Sequence, residues 1–439
     1  MVRFNSRSRS SASTGIFSLS MRSAVAVFAM GMIVGCFITN FFSQQPFNYG
    51  LLTADVATLQ GSNNGNTVQS QSLIGPFSRT ALTTEWDPAS IEKDLKTSDI
   101  QSLASATKAV TVKIPGVSEQ YSVPFYTQRP DWLSQRTFLS NIFFCPPNGH
   151  EGTITNLIGQ LLSQNSEGSF MDVGSNLGFY SLLATSMGHH AYAFDIQPVC
   201  LYNLQTLSNA ADDKKNANLL HVFNVGMSDS EQTVVNQEGG CDYENFYVNE
   251  SEQRKHTALD ADKAGIGLQV PVVRMDHWIS LMGDKLKGPI QVMKMDTEGA
   301  EGRIALGMQK TLSTCLIRNF IVELTPAHWY RFGQKDNDAA AIQAYCNLTE
   351  KYNYKAYFMF MQKERQPPPQ LYDIVRPLDR HPAMPSEKGT GCFGTPYYEI
   401  LDLRRFIHEY CLEWTATVKR EGGSAKGFCG NIWFQKQGC

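Results

Sequence analysis

Apolar and polar positions alternate in a regular order over the second half of the chain. Ser169-Phe-Met-Asp-Val173 is a short apolar run that ends at Gly174. Such a run is the pattern of a strand buried on both faces. Residues 180–187 carry helix-spaced apolar side chains, and Ala191-Tyr-Ala-Phe194 is a second strand run ending at Asp195. Pro198 then suits the first turn of a helix. Further strands are predicted over 219–225, 289–295, 319–324, 354–361 and 431–435, with helices over 299–312 and 339–352. Strands alternating with helices predict an α/β fold with a doubly wound, mainly parallel sheet of seven strands. Two stretches interrupt the alternation, near 228–288 and 362–428. The second holds Pro367-Pro-Pro369 and reads as a surface excursion. Residues 85–165 form an N-terminal extension, with a strand at 110–114 and a helix at 154–162, and residues 166–439 form the main domain.

The N-terminal pattern differs. Residues 23–42 contain no charge. Twenty helical residues at ~1.5 Å each span about 30 Å, one bilayer core. Arg3, Arg7, Arg9 and Arg22 all precede the run, and the first charge after it is Asp55. The positive-inside rule then places 1–22 in the cytoplasm and the bulk of the chain across the membrane. The run ends Ile38-Thr-Asn-Phe-Phe42, without the small-x-small site of a cleaved signal peptide. An uncleaved signal anchor is expected, making a single-pass type II membrane protein of the Golgi or another endomembrane. Twenty of the 42 residues in 43–84 are Ser, Thr, Asn or Gln, the composition of a disordered stem.

Composition and charge narrow the classes. The chain has 439 residues, 42% hydrophobic and 18% charged, which excludes a collagenous, wholly disordered or polytopic membrane protein. The net charge of −3 offers no basic excess for nucleic acid. Ten cysteines are present, none in C-x-x-C, so zinc ribbons and thioredoxin chemistry lack their signature. Cys36 lies in the expected span. The other nine suit disulfides in an oxidising lumen, and their odd number leaves at least one free or paired between chains. Asn249-Glu-Ser251 and Asn347-Leu-Thr349 are glycosylation sequons.

Candidate chemistry lies at the carboxyl ends of the strands, where ligands bind in such sheets. Asp172-Val-Gly174-Ser-Asn176-Leu-Gly178 joins the first strand to its helix. Its glycines permit a tight turn and close backbone approach. Asn176 breaks the dinucleotide pattern G-x-G-x-x-G, and no G-x-x-x-x-G-K-[ST] occurs. A loop without a phosphate cradle suits a nucleoside ligand lacking a pyrophosphate. Asp195, ending the second strand, is placed to accept hydrogen bonds from a ribose diol. The plainer alternative makes the glycines turn residues and Asp195 a helix cap.

These segments resemble the FkbM family of S-adenosylmethionine-dependent methyltransferases. The resemblance is carried by Phe170-Met-Asp-Val-Gly-Ser-Asn-Leu-Gly-Phe-Tyr-Ser181, Ala193-Phe-Asp195, Val225-Gly-Met-Ser-Asp229, Val272-Val-Arg-Met-Asp276, Lys294-Met-Asp-Thr-Glu-Gly-Ala-Glu301 and Ile321-Val-Glu323. It covers about residues 150–330. It implies the Rossmann-like class I methyltransferase sheet, S-adenosyl-L-methionine as cofactor, and Asp172, Gly174, Asn176, Gly178, Asp195 and Asp229 as cofactor-binding positions. Asp195 stands where the family more often has Glu, Thr297 replaces a usual aliphatic residue, and the 362–428 stretch lies outside the shared pattern.

Methyl transfer to a hydroxyl needs alignment of the acceptor oxygen and a group to take its proton. Asp296, Glu298 and Glu301 cluster after the fourth strand as candidate catalytic groups, with Glu323 at the next strand end and His328 close behind. Asp296 or Glu298 is the expected base or orienting group. Alternatively, Glu298 and Glu301 only favour the helix N-terminus through its dipole. Asp296, Glu298 and Asp195 could offer oxygens to a cation, but no recognised metal spacing occurs, so no metal is expected. Trp329, Tyr330 and Phe332 could form a sugar-stacking wall or simply core. The leading expectation is a membrane-anchored, lumenal O-methyltransferase acting on a hydroxyl, on a glycan or another small acceptor. A Golgi glycosyltransferase using Asp260-Ala-Asp262, and an inactive binding module on the same fold, are the competing readings.

The charge asymmetry around 23–42 makes a direct prediction. In sealed microsomes, added protease should trim the first 22 residues and leave the remainder intact. Digestion of the body without detergent would reverse the orientation.

Overall fold

A computed structural model describes residues 82–87, 89, 107–126, 151–210, 218–236, 246–247, 268–326, 328–329, 334–335, 338–359, 371–383, 397–414 and 429–439. All belong to the second of two units, Ser72–Cys439. The expected span 23–42 lies outside them, as do Asn249, Tyr330, Phe332 and Asp260-Ala-Asp262. Among the described residues no helix is long and apolar enough to cross a membrane.

An antiparallel hairpin comes first, β1 (Thr107–Lys113) with β2 (Gln120–Tyr126). Helix α1 (Gly152–Ser163) follows. Next come β3 (Ser169–Val173), α2 (Phe179–Ser186), β4 (Ala191–Phe194), α3 (Pro198–Asn209) and β5 (Leu220–Phe223). Strands β6 (Gly226–Ser228), β7 (Gln232–Asn236), β8 (Phe246–Tyr247) and β9 (Leu268–Arg274) build a separate four-stranded sheet in the order β6-β9-β7-β8. Helix α4 (Met275–Met282) leads to β10 (Ile290–Met295), α5 (Glu301–Gly307), α6 (Gln309–Ser313) and β11 (Asn319–Leu324). The chain closes with α7 (Ala339–Glu350), β12 (Tyr354–Met359), β13 (Val375–Pro377), β14 (Tyr398–Ile400) and β15 (Gly430–Lys436).

The central sheet has the order β13-β14-β12-β15-β11-β10-β3-β4-β5. Strands β5, β4, β3, β10 and β11 run parallel. Strand β15 inserts antiparallel between β11 and β12. The seven expected strands are all present, but the sheet has nine. The two extra strands, β13 and β14, come from the stretch read as a surface excursion. Each is three residues long, too short for a period of two to register.

Alternate residues of β3 serve opposite faces. Met171 and Val173 enter one core cluster and Phe170 the other, as strand geometry requires. Both faces are covered, which is why the central strands read as continuous apolar runs. The expected helix 299–312 is broken in two at Met308. A Cβ on Gly307 would stand 1.8 Å from the Ser228 carbonyl oxygen, so this glycine lets the helix touch β6 and also weakens the turn.

Cys315–Cys439 and Cys411–Cys429 are disulfides. They fasten both ends of β15, the strand on which the antiparallel half of the sheet depends. Cys200 is also disulfide-bonded, and Cys346 is free and buried. Asn347 lies inside α7, where its amide donates to Gln309 Oε1 at 2.9 Å and accepts from Gln343. That sequon is therefore poorly placed for a glycan. Leu82, at the end of the expected stem, is buried in the core.

Candidate functional site

A cavity of about 270 Å³ opens at the carboxyl ends of β3, β4 and β10, beside β6. This is the ligand position of open α/β sheets. Its floor is the loop after β3. Gly174, Asn176 and Gly178 there take φ of 79°, 49° and 78°, left-handed values open to glycine and tolerated by asparagine. Asn176 thus replaces a glycine without losing the backbone shape. Four of the loop amides are spent within the protein. Gly174 and Ser175 N–H donate to the Phe194 carbonyl, Gly178 N–H to that of Ser175, and Asn176 N–H to Asp195 Oδ2 at 2.8 Å. They form no nest for a phosphate.

Gly174 makes a close backbone approach, but to protein. A Cβ there would lie 1.9 Å from the Asp296 carbonyl oxygen. The loop after β3 and the acidic loop after β10 are thereby pressed together. At Gly178 a Cβ would meet Leu204 of α3, so this glycine serves helix packing.

Asp195 faces the cavity. Its Oδ2 takes the Asn176 N–H and its Oδ1 the Gln197 N–H at 2.8 Å. The Gln197 side chain and the Ile196 N–H donate to it as well, so the cap reading holds, and the same carboxylate lines the cavity. Burial pushes its pKa up to about 6, against the lowering effect of the Gln197 and Asn176 donors. Ile196, Val225, Met227 and Val272 line an apolar side of the same cavity.

Asp172 does not line the cavity. It is buried beneath the loop and accepts the Ser181 hydroxyl at 2.7 Å, tying β3 to α2. Burial raises its pKa to about 6, although Lys294 opposes the shift. Asp229 is also outside the lining. It pairs with Arg303 at 3.1 Å and accepts from Ser228 and Ser230. The other four residues of its motif, Val225 to Ser228, do line the cavity.

The opposite wall is acidic. Lys294, buried in β10, contacts Asp296 Oδ2 at 2.8 Å. Burial disfavours this ammonium, but Asp296, Asp172 and Glu151 outweigh it and raise its pKa. Burial likewise opposes ionisation of Asp296, and Lys294 prevails to hold its pKa below the usual carboxylate value. Glu323 goes the other way. Burial and the neighbouring Asp296 charge push it well above the ordinary range, and it hydrogen-bonds Asp296. Asp296, Glu298 and Glu323 each bring an oxygen within 4.8 Å of the others. Glu323, not Asp195, is thus the third carboxylate of the cluster, and an ammonium already compensates Asp296.

Glu298 lines the cavity on a backbone with φ 56°. A non-glycine residue held there costs about 1–3 kcal/mol and persists only when its surroundings impose it. Glu301 imposes it. Its Oε1 accepts the N–H groups of Thr297 and Gly299 and the Thr297 hydroxyl, and its Oε2 accepts from Thr325. Glu301 is fully buried and outside the lining. It is the clamp of this loop rather than a reacting group, and Thr297 contributes a hydroxyl that an aliphatic residue would lack. Trp329 is core, stacked on Tyr345, not a sugar wall, and His328 is not in the lining. Glu151 and Arg303 also line the cavity and stand outside the linear motifs, and Tyr180 and Met227 line it from within them. Tyr180 stands within the first motif, but nothing in a helical pattern separates a site residue from core.

The lining would suit S-adenosylmethionine on three counts: a carboxylate at the end of β4, an apolar side, and more carboxylates than cations. Residues 172–356 match the family model described as the Methyltransferase FkbM domain. Among solved structures the chain is similar to methyltransferase FkbM from Methylobacillus flagellatus KT, with 14% identity and a TM-score of 0.28. That similarity covers 44% of this chain and 39% of the other, well under two thirds of its length. No curated protein matches the chain.

The contact at Gly174 predicts a large effect from one methyl group. Gly174→Ala should lower stability by at least ~2 kcal/mol, from left-handed strain plus the clash with Asp296. Gly188, at φ 88°, has nothing within 4 Å of an added Cβ, so Gly188→Ala should lose only ~1 kcal/mol. Equal losses in urea unfolding would show that the loop contact is unimportant.

Proposed function

We propose that the chain, whose residues 172–356 match the family model described as the Methyltransferase FkbM domain, is an S-adenosylmethionine-dependent O-methyltransferase. Its acceptor is a hydroxyl, on a glycan. The enzyme is anchored by residues 23–42 with its catalytic body in an endomembrane lumen. The uncharged run behind four arginines supports the anchor, and the disulfides suit an oxidising compartment.

The charge of the cavity carries the reading of the cofactor. Glu151, Asp195, Asp296 and Glu298 line it, and its two cations, Lys294 and Arg303, are each paired with a carboxylate. A cationic ligand gains from such a wall, whereas a nucleotide sugar would bring two phosphates to spent loop amides and paired cations. S-adenosylmethionine, when bound, supplies an activated methyl group. Asp195 would accept its ribose diol, and Ile196, Val225, Met227 and Val272 would enclose its base.

The chain must also take the acceptor proton. Asp296 is committed to Lys294 and to Glu323, and its lowered pKa makes it a weak base. Glu298 lines the same space and is held there in a strained conformation, so we assign it the base role and Asp296 the orienting role. Typical general-base catalysis is worth ~10²–10⁴-fold.

Binding of S-adenosylhomocysteine by the full chain tests the donor site. Asp195→Ala should weaken it by ~1–3 kcal/mol. The diol donates to the ionised carboxylate, so binding favours the deprotonated form. Affinity should be full at neutral pH and fall as pH drops through about 6, by up to ~tenfold per unit. Preference for a nucleotide sugar, with no adenosyl ligand bound, would overturn the assignment.

The two acidic-loop residues should separate. Glu298→Gln should lose ~10²–10⁴-fold in methyl transfer to a mixed glycan pool while keeping its melting temperature and S-adenosylhomocysteine affinity. Asp296→Asn should also lose stability, by ~3–5 kcal/mol, since it strands a buried ammonium. A fully active Glu298→Gln enzyme would rule out the base.

A further inference from the structure

One carboxylate in the cavity takes no part in the proposed proton transfer. Glu151 is the N-cap residue of α1. A carboxylate at that position ordinarily accepts an N–H from the first helical turn. Glu151 makes no such bond. It receives the Tyr180 hydroxyl on Oε2 at 2.8 Å, and both side chains line the cavity. Tyr180 is itself buried, and Lys294 Nζ lies 5.0 Å from its ring centroid. Lys294 is close enough for the Glu151 charge to stabilise its ammonium. Glu151 is thus aimed by a fixed partner into a wall that presents both signs of charge.

Asp195 already accounts for one anionic post in this cavity. A second, close to Lys294 and Asp296, suits a cation or zwitterion carried by the same ligand. We infer that Glu151 binds the α-ammonium of the donor's amino-acid arm. The inference rests on the reading of the cavity as an S-adenosylmethionine site. An ammonium meeting a carboxylate forms a charge-assisted hydrogen bond, and its loss typically weakens binding by ~10–100-fold. Tyr180 acts through Glu151 as a positioning residue. The plainer alternative is that Glu151 only steadies α1, through its dipole or through Tyr180. That role would change stability and would not distinguish ligands.

Two ligands separate these possibilities. S-adenosylhomocysteine carries the amino-acid arm, whereas 5′-methylthioadenosine has the same nucleoside and sulfur without it. Calorimetry on the full chain should show Glu151→Gln weakening S-adenosylhomocysteine by ~10–100-fold while leaving 5′-methylthioadenosine within about twofold. Tyr180→Phe should show the same selectivity at several-fold smaller size, and it carries the comparison if Glu151→Gln fails to fold. Equal weakening of both ligands, or no change in either, would overturn the assignment of Glu151. If the wild-type chain binds 5′-methylthioadenosine but Glu151→Gln leaves S-adenosylhomocysteine unaffected, the donor reading stands and the subsite falls. If the wild-type chain binds neither ligand, the donor reading falls and the subsite with it.

Discussion

A single ammonium buried in the middle of the sheet organises the site. Lys294 occupies β10, a strand whose every residue is buried, and Asp172, Asp296 and Glu151 surround it. Removing one lysine from water is costly, and only close carboxylates offset that cost. The same lysine lets the carboxylates crowd together. Lys294, 2.8 Å away, favours the ionised form of Asp296, and burial together with the Asp296 charge favours the protonated form of Glu323. The result is a wall that is acidic yet internally compensated, with Glu298 presented at its edge. An anionic surface of this kind attracts a cation and repels a phosphate.

A second constraint acts through the backbone. Gly174 presses against the Asp296 carbonyl, and the Glu301 clamp sets the shape of residues 297–299. Donor loop and acidic loop are therefore one mechanical unit, although more than a hundred residues separate them. The disulfides at both ends of β15 keep the antiparallel half of the sheet in register beside this unit. A rigid frame of this sort is what an in-line transfer needs, since effective alignment is lost when reacting atoms shift by about an ångström.

Some roles that the motifs suggested changed hands once side chains were placed. Asp229 and Glu301 sit in family-like segments, but Asp229 pairs with Arg303 and Glu301 is a buried loop clamp. Asp172 supports α2 from beneath rather than touching the cavity. In each case the residue type was informative and its direction was not. A linear motif records which residues a loop requires; it does not separate those that face a ligand from those that hold the loop.

The sequence by itself determined the alternation of strands and helices, the loop positions and the chemistry of Gly174, Asn176, Asp195, Asp296 and Glu298. These are local properties, written in a period of two, a period near 3.6, and turn residues with special backbone freedom. Only the tertiary structure decided that Glu151 joins the cavity, that Glu323 completes the acidic cluster, and that β13 and β14 widen the sheet to nine strands. Those facts depend on contacts between segments far apart in the chain. Parallel pairing and helix crossover bring such segments together, and no local period encodes the meeting.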